Sequence, residues 1–121
     1  ETRGLIRTVE IDAEISFDEL DETMIRWIND LEPYGPGNPR PVFASMGVKV
    51  LETFHMGREQ QHLRLRVEMN GARFTALAFN QAHKWQPNTE FADLAFTVMS
   101  DSFRGKGAIA LRLLDFKPSN G

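Results

Sequence analysis

The side chains best suited to chemistry in this sequence are basic and aromatic residues on two neighbouring segments, 62–69 and 72–79. Guanidinium groups bind phosphates through paired hydrogen bonds, and an exposed aromatic ring stacks on a nucleic-acid base. This combination favours binding of a single nucleic-acid strand, whereas an ordinary solvated surface is the alternative interpretation. The candidate binding residues are Arg58, Arg64, Arg66, Arg73, Phe79, Phe103, Arg104 and Lys106.

Residues for catalysis or metal binding form no recognisable pattern. The chain has no cysteine, which excludes disulfides, thiolate zinc sites and cysteine nucleophiles. Its three histidines lack the short spacing of metal ligands. Glu10, Asp12 and Glu14 share one face of an expected strand and could hold Mg²⁺ or Mn²⁺, but a solvated acidic face explains them better. We therefore expect no catalytic residue and no metal site in this chain.

The candidate residues are positioned by a predicted β-hairpin. Asn70-Gly71 between two alternating segments is a strong signal for a two-residue turn, which pairs positions whose numbers sum to 141. Leu63, Leu65 and Val67 then share a core-filling face with small or apolar partners. The opposite, outward face pairs Glu68 with Arg73, Arg66 with Thr75, Arg64 with Leu77 and His62 with Phe79.

The pattern around this hairpin predicts a mainly β fold with a short α part, an OB-fold-like barrel of five strands preceded by a strand–helix segment. Strands are expected over 42–54, 62–69, 72–79, 90–99 and 108–116, with a bulge or bend at Gly47 and a short helical turn over 80–85. OB folds bind single strands on the outer face of strands two and three, flanked by the loops after strands one and four. Arg58 lies in the first of these loops, and the second contains Phe103, Arg104 and Lys106.

The segment before the barrel is acidic and amphipathic. Residues 9–17 alternate apolar and acidic side chains, as in a strand, and Ser16 followed by Glu19 predicts a helix start. An apolar stripe follows, consisting of Leu20, Met24, Trp27, Ile28 and Leu31. We expect the stripe to pack on the barrel or on an upstream domain, or the strand edge at 9–15 to mediate self-association.

Residues 33–41 form a connector rich in proline and glycine. The segment contains four of the six prolines, which fix φ, and two glycines, Gly35 and Gly37, expected at positive φ. It does not fit a phosphate-binding loop, because its prolines remove N–H donors and a β pattern follows. The predicted organisation is a strand–helix remnant of a preceding domain (1–32), a rigid connector (33–41) and an OB-fold-like domain (42–121).

Charge is distributed unevenly along the chain. Residues 1–32 carry ten acidic side chains and three arginines, a net charge of −7, whereas residues 33–121 carry eleven basic and seven acidic side chains, a net charge of +4. A polyanion responds to the local field, so the overall charge of −3 does not exclude nucleic-acid binding. The chain has no apolar run long enough to span a membrane, and it begins with Glu1 rather than methionine, so we expect a piece of a longer protein.

Nearly the whole chain resembles the C-terminal part of the RecJ family, the single-strand-specific 5′→3′ DNA exonucleases. Similar runs occur at Ile11–Ile15, His62–Leu65, Asp93–Phe96, Arg104-Gly105 and Leu111–Asp115. The most specific match is the connector, Leu31-Glu32-Pro33-Tyr34-Gly35-Pro36-Gly37-Asn38-Pro39-Arg40-Pro41-Val42-Phe43. The segment Ser100–Phe103 departs from the family, which has a longer polar stretch there.

The resemblance implies the end of a DHHA1 domain followed by an OB domain, without the active site. The family's Asp-His-His and Gly-Gly-His motifs are absent from this chain, so Mn²⁺ or Mg²⁺ would be held by an upstream DHH domain. The implied function is a non-catalytic, cytoplasmic module that binds single-stranded DNA during repair and recombination, with the upstream domains of the parent chain as further partners. The alternative is an OB-like domain that binds protein and no nucleic acid.

Overall fold

The structure is a computed structural model, and it describes residues 9–101 and 108–119. Phe103, Arg104 and Lys106, together with the N-terminal residues 1–8, lie outside the described residues. The elements, in chain order, are β1 (Ala13–Glu14), a 3-10 turn (Phe17–Glu19), α1 (Glu22–Asp30), β2 (Phe43–Met56), β3 (His62–Met69), β4 (Ala72–Ala78), a second 3-10 turn (Ala82–Lys84), β5 (Phe91–Ser100) and β6 (Ile109–Pro118). No described helix has the length and apolar character needed to cross a membrane.

Strands β2 to β6 close into the predicted five-stranded barrel. The strand order is β2-β3-β4-β6-β5, and β5 pairs back to β2. All neighbours are antiparallel except β4 and β6, which pair in parallel at Ala76↔Leu111 and Leu77↔Arg112. Closure leaves one interior face filled by apolar side chains, with Leu63, Leu65, Leu94, Phe96 and Leu111 fully buried. The OB-fold prediction is confirmed.

The β3–β4 hairpin has the register expected from its turn. Its pairs run from Met69↔Ala72 to Leu63↔Ala78, and each pair sums to 141. Gly71 (φ 83°) and Asn70 (φ 51°) adopt the positive φ angles that a two-residue hairpin turn requires. Gly47 (φ 66°) lies at a register shift between β2 and β5, as the interrupted strand pattern indicated.

The N-terminal segment is shorter in regular structure than expected. Only Ala13–Glu14 pair as a strand, in parallel with the start of β2, because Ile15 and Phe17 then turn into the barrel core. Ser16 precedes a 3-10 turn rather than the α-helix, and its N–H donates to Glu19 Oε2 at 2.7 Å. The helix itself begins after Asp21, whose carboxylate accepts from Met24 N at 2.9 Å.

Three of the five residues of the apolar stripe pack on the barrel core, whereas Leu31 is half-buried outside that cluster and Trp27 is exposed. Leu20 and Ile28 belong to the same buried cluster as the barrel interior, and Met24 packs against it. Trp27 remains 52% exposed, contrary to the expected stripe. The reason is the late helix start: Leu20 precedes the helix, so Met24 and Ile28, four residues apart, define the buried face and Trp27 lies beside it.

The connector is held to the end of α1 by side-chain hydrogen bonds. Tyr34 donates its hydroxyl to the Ile28 carbonyl, and Asn38 Nδ2 donates to the carbonyls of Leu31 at 2.6 Å and Pro33 at 3.0 Å. The expectation of positive φ at Gly35 and Gly37 was wrong, because the glycines with positive φ in the described chain are elsewhere. Four closely spaced prolines and this hydrogen bonding shape the segment instead.

Candidate nucleic-acid interface

The outer face of the β3–β4 hairpin carries the predicted basic side chains in rows that continue onto both neighbouring strands. In the central row, Arg64 lies opposite Phe54 of β2 on one side and Leu77 of β4 on the other. Leu77 in turn lies opposite Arg112 of β6. Residues paired across a sheet project to the same face, so four strands contribute to one surface.

Two arginines of this surface lie against exposed aromatic rings. The guanidinium carbon of Arg64 is 5.4 Å from the centroid of the Phe54 ring, and that of Arg112 is 5.6 Å from the centroid of Phe79. The rings are 40% and 41% exposed, so each can be approached from solvent. Phe79 also meets the edge of His62, with ring centroids 5.5 Å apart. The surface therefore offers cations and stacking rings side by side.

His62 is held in place by the residue that follows Phe79. Its Nδ1 accepts a hydrogen bond from the backbone N–H of Asn80 at 3.0 Å, so the Nδ1 atom is unprotonated in this arrangement. Asn80 has a positive φ of 58°, which turns the chain away at the end of β4. This turn leaves Phe79 exposed instead of covering it with the 80–85 segment.

The other two hairpin arginines have acidic neighbours. Arg73 Nε is 2.7 Å from Glu68 Oε2 in an ion pair on the surface, so part of its charge is already balanced. Arg66 lies opposite Glu52 on β2, and its Nε is buried without a hydrogen-bond partner in the described structure. A buried N–H donor without a partner carries a free-energy cost, which a partner at this position would relieve. Arg64 and Arg112 are the cations that face aromatic rings.

The remaining predicted residues lie at the ends of this surface or outside the described chain. Arg58 is exposed in the loop between β2 and β3. Phe103, Arg104 and Lys106 fall among residues 102–107, whose structure is not described, and their role stays a prediction. The loop that contains them joins Ser100 at the end of β5 to Ile109 at the start of β6.

Sequence reasoning missed five residues of the surface, namely Lys49, Glu52, Phe54, Met56 and Arg112. Phe54 and Met56 lie at the end of β2, where they are 40% and 39% exposed, and Arg112 is exposed in β6 between two buried leucines. The alternation of apolar and polar residues around position 112 in β6 was the sequence signal that could have identified Arg112. Phe54 and Met56 were harder to assign, because a register shift between Val50 and Glu52 moves the outward positions by one residue. The full surface comprises Lys49, Glu52, Phe54, Met56, His62, Arg64, Arg66, Glu68, Arg73, Leu77, Phe79 and Arg112.

The described residues offer no metal centre. Across 9–101 and 108–119, no group of three or more histidine or acidic side chains is close enough to hold a metal ion. The acidic N-terminal segment contains one perturbed carboxyl: a hydrogen bond from the Ser16 hydroxyl lowers the pKa of Asp18 below its usual 3.8. Asp18 is fully ionised at neutral pH, so this end of the molecule repels a polyanion.

Comparisons with known proteins agree with the barrel fold. A family model described as the RecJ OB domain matches residues 11–115. No curated protein gave a significant match. The similar solved structures include those of RecJ from Thermus thermophilus in complex with Mn²⁺ and with Mg²⁺. Each has a TM-score of 0.67 and 25% sequence identity over 93% of this chain.

The match covers a small part of the larger proteins. The chain spans 16% of the RecJ chain in the Mn²⁺ complex and 17% in the Mg²⁺ complex. The family model, in contrast, accounts for most of this chain, including the connector, β2 to β5 in full and most of β6. By fold, by sequence and by the extent of that match, this chain belongs to the RecJ OB domain family.

Proposed function

We propose that this domain binds single-stranded DNA across the outer face of β2, β3, β4 and β6, as the non-catalytic module of a RecJ-like 5′→3′ single-strand-specific exonuclease acting in repair and recombination. The observation that carries the proposal is the pairing of Arg64 with Phe54 and of Arg112 with Phe79 on one exposed face. Guanidinium groups bind the phosphates and the rings stack on bases, which is how OB folds hold single strands.

The charge distribution supports this path for the strand. The outer face carries five basic side chains, Lys49, Arg64, Arg66, Arg73 and Arg112, and two acidic ones, Glu52 and Glu68. The N-terminal segment carries exposed carboxylates, including Asp18, Asp21 and Glu22. A strand bound across the barrel is attracted by the first region and repelled by the second, so its path lies away from α1.

Titration of a fluorescent oligothymidine with the purified chain tests the proposal. Anisotropy measured at several salt concentrations should show binding whose logarithmic affinity falls by about 0.7 per logarithmic unit of salt for each phosphate contact. Duplex DNA of the same length, which presents no splayed bases for stacking, should bind more weakly. Equal affinity for both, or no binding at low salt, would contradict the proposal.

The parent protein would supply the chemistry. The metal ions of the similar RecJ structures are Mn²⁺ and Mg²⁺. We expect their site in an upstream DHH domain, with residues 1–32 as the end of a DHHA1 domain and 33–41 as the connector to the domain at 42–121. The isolated chain should therefore not cleave single-stranded DNA in the presence of either ion. The localisation expected for this function is the cytoplasm.

Protein binding is the second candidate function. Trp27 is exposed on α1 and lines a depression with Met24, Glu19 and Asp21. An exposed tryptophan beside carboxylates is typical of a surface that contacts another protein, and the upstream domains of the parent chain are our proposed partner. Self-association through residues 9–15 is the alternative, and a concentration-dependent mass in sedimentation would reveal it.

A further inference from the structure

The second half of β2 is paired on one side only. β2 pairs with β5 as far as Lys49↔Phe91, and the last backbone hydrogen bond on that side runs from Val50 N to Glu90 O at 2.9 Å. Beyond it, residues 52–56 of β2 pair with β3, Leu51 is a bulge, and none of residues 51–56 pairs with another strand among the described residues. This leaves a strand edge of six residues that the barrel does not close.

The register of the hairpin fixes the direction of the free backbone groups. In a two-residue hairpin the pair flanking the turn exchanges both hydrogen bonds, and such pairs recur at every second residue. The pair that flanks the turn is Met69↔Ala72, and Arg64 lies an odd number of residues before Met69. The backbone N–H and C=O groups of Arg64 therefore point away from β4 and toward Phe54 on β2. Thr53 and His55, on either side of Phe54, therefore direct their N–H and C=O groups away from β3.

A preformed groove runs beside this edge. Its volume is about 420 Å³, and its walls are Leu51, Thr53 and His55 on one side and Trp85, Pro87 and Thr89 on the other. The far wall is supported from behind, because the Trp85 ring meets Phe116 with centroids 5.7 Å apart. The groove therefore does not require Trp85 to move before it can accept a side chain.

We propose that this edge binds an extended peptide segment of a partner protein, which adds a strand beside Leu51–Met56 and inserts an apolar side chain against Trp85. Alternating donors and acceptors at strand spacing are matched by another extended backbone. Glu52 lines the groove and the exposed Glu90 follows its Thr89, so the groove favours a peptide flanked by lysine or arginine. Thr53 and His55 project opposite to Phe54, so the groove and the nucleic-acid face share only Glu52.

Amide hydrogen exchange of the whole isotope-labelled chain tests the assignment. The probe is a capped peptide of alternating threonine and valine with a central leucine and a lysine at each end. Its addition should slow exchange of the Thr53 and His55 amides by at least about tenfold, because both become donors in a ladder. The same peptide methylated on the backbone nitrogens that face β2 should leave the exchange rates unchanged.

Two substitutions at one position provide the matched control. Thr53→Pro removes an N–H that points away from β3, which a strand edge tolerates, and it should abolish peptide binding. Thr53→Val keeps the N–H and should bind as the original chain does. If Thr53→Pro does not fold, the comparison of exchange rates with the methylated and the unmethylated peptide tests the proposal instead.

Three results would overturn the proposal: no exchange protection at millimolar peptide, protection that the methylated peptide also produces, or protection by self-association of this chain without any peptide. Binding of oligothymidine is measured separately and should be the same for the original chain and Thr53→Val. A failure of DNA binding therefore leaves the outcome at this edge unaffected.

Discussion

The guanidinium carbon of Arg64 lies 5.4 Å from the centroid of the Phe54 ring, directly across the β2–β3 ladder. The cation and the ring that we propose for phosphate and base are thus stacked on each other in the free domain. A cation–π contact at an exposed site contributes about 0.5–1 kcal/mol. A bound strand that draws Arg64 to a phosphate gives up part of this contact and frees one face of the ring, so the two side chains should act together.

The paired substitution Arg64→Ala and Arg66→Ala should weaken oligothymidine binding irrespective of sequence. Losing two phosphate contacts should also reduce the slope of logarithmic affinity against logarithmic salt by about 1.4, since each contact contributes about 0.7. Anisotropy titrations at several salt concentrations measure both quantities. Arg26→Ala on α1 is the matched control and should change neither. Unchanged affinity and slope in the double variant would make protein binding the preferred function.

A double-mutant cycle should detect the contact between Arg64 and Phe54. Phe54→Ala alone should weaken oligothymidine binding by about 1–3 kcal/mol with little change in salt slope, because stacking releases no counterions. Combined with Arg64→Ala, the loss should differ from the sum of the single losses by at least about 0.5 kcal/mol. In the control cycle, the losses of binding free energy for Phe54→Ala and Arg73→Ala should add, because Arg73 is paired with Glu68 farther along the sheet. Additivity in both cycles would show that Arg64 and Phe54 act independently in binding, so that their contact makes no contribution of its own.

Local signals in the sequence predicted the hairpin and its register, whereas pairing between distant strands decided the rest of the site. Asn70-Gly71 determines the partners of Arg64 and Arg66 within the hairpin, because the turn length alone sets the register. The contact between Arg112 and Phe79 depends on the parallel pairing of β4 with β6. These two strands are neighbours in the barrel although β5 lies between them in the sequence. No periodicity within either strand contains that information.

Boundaries at the N-terminal segment were predicted less well for a related reason. The capping pattern at Ser16 and Glu19 was correctly recognised, but it stabilises a 3-10 turn, and the helix begins at Glu22, six residues after Ser16. Phe17 explains the difference: it is fully buried, with its ring edge-on to Phe74 and Phe96 at centroid distances of 5.3 and 6.2 Å. Burial of that ring overrides the local preference for a continuous helix.

Gly71→Ala should destabilise the domain by about 1 kcal/mol or more. Gly71 has a φ of 83°, and a residue with a Cβ atom is strained in that conformation. Gly37→Ala is the matched control: Gly37 has no atom within 4 Å of an added Cβ and is not at positive φ, so stability should be unchanged or slightly higher. Urea denaturation measures both free energies of unfolding. A larger loss for Gly37→Ala than for Gly71→Ala would contradict the assigned turn geometry.

Tyr34 should make the stability of the domain fall with pH above 10. Burial raises the pKa of the Tyr34 hydroxyl above its usual 10.0, despite the opposing effect of the Arg40 guanidinium, which lies 4.5 Å from the ring centroid. Above pH 10 the unfolded chain loses this proton while the native chain keeps it, bonded to the Ile28 carbonyl. The native state then binds more protons than the unfolded state, so the free energy of unfolding decreases as pH rises toward the native pKa.

Tyrosinate absorbance tests this directly, because Tyr34 is the only tyrosine in the sequence. The native chain should ionise at higher pH than the chain unfolded in urea. Tyr34→Phe lacks the hydrogen bond to Ile28 and should be less stable at neutral pH by about 1 kcal/mol. Its free energy of unfolding should also fall less steeply above pH 10 than that of the original chain. The two proteins differ only in the Tyr34 hydroxyl, so the difference between their pH dependences is due to that group. Identical ionisation of Tyr34 in native and unfolded chains would mean that the hydroxyl is solvated, and that the connector is not held to α1 through this bond.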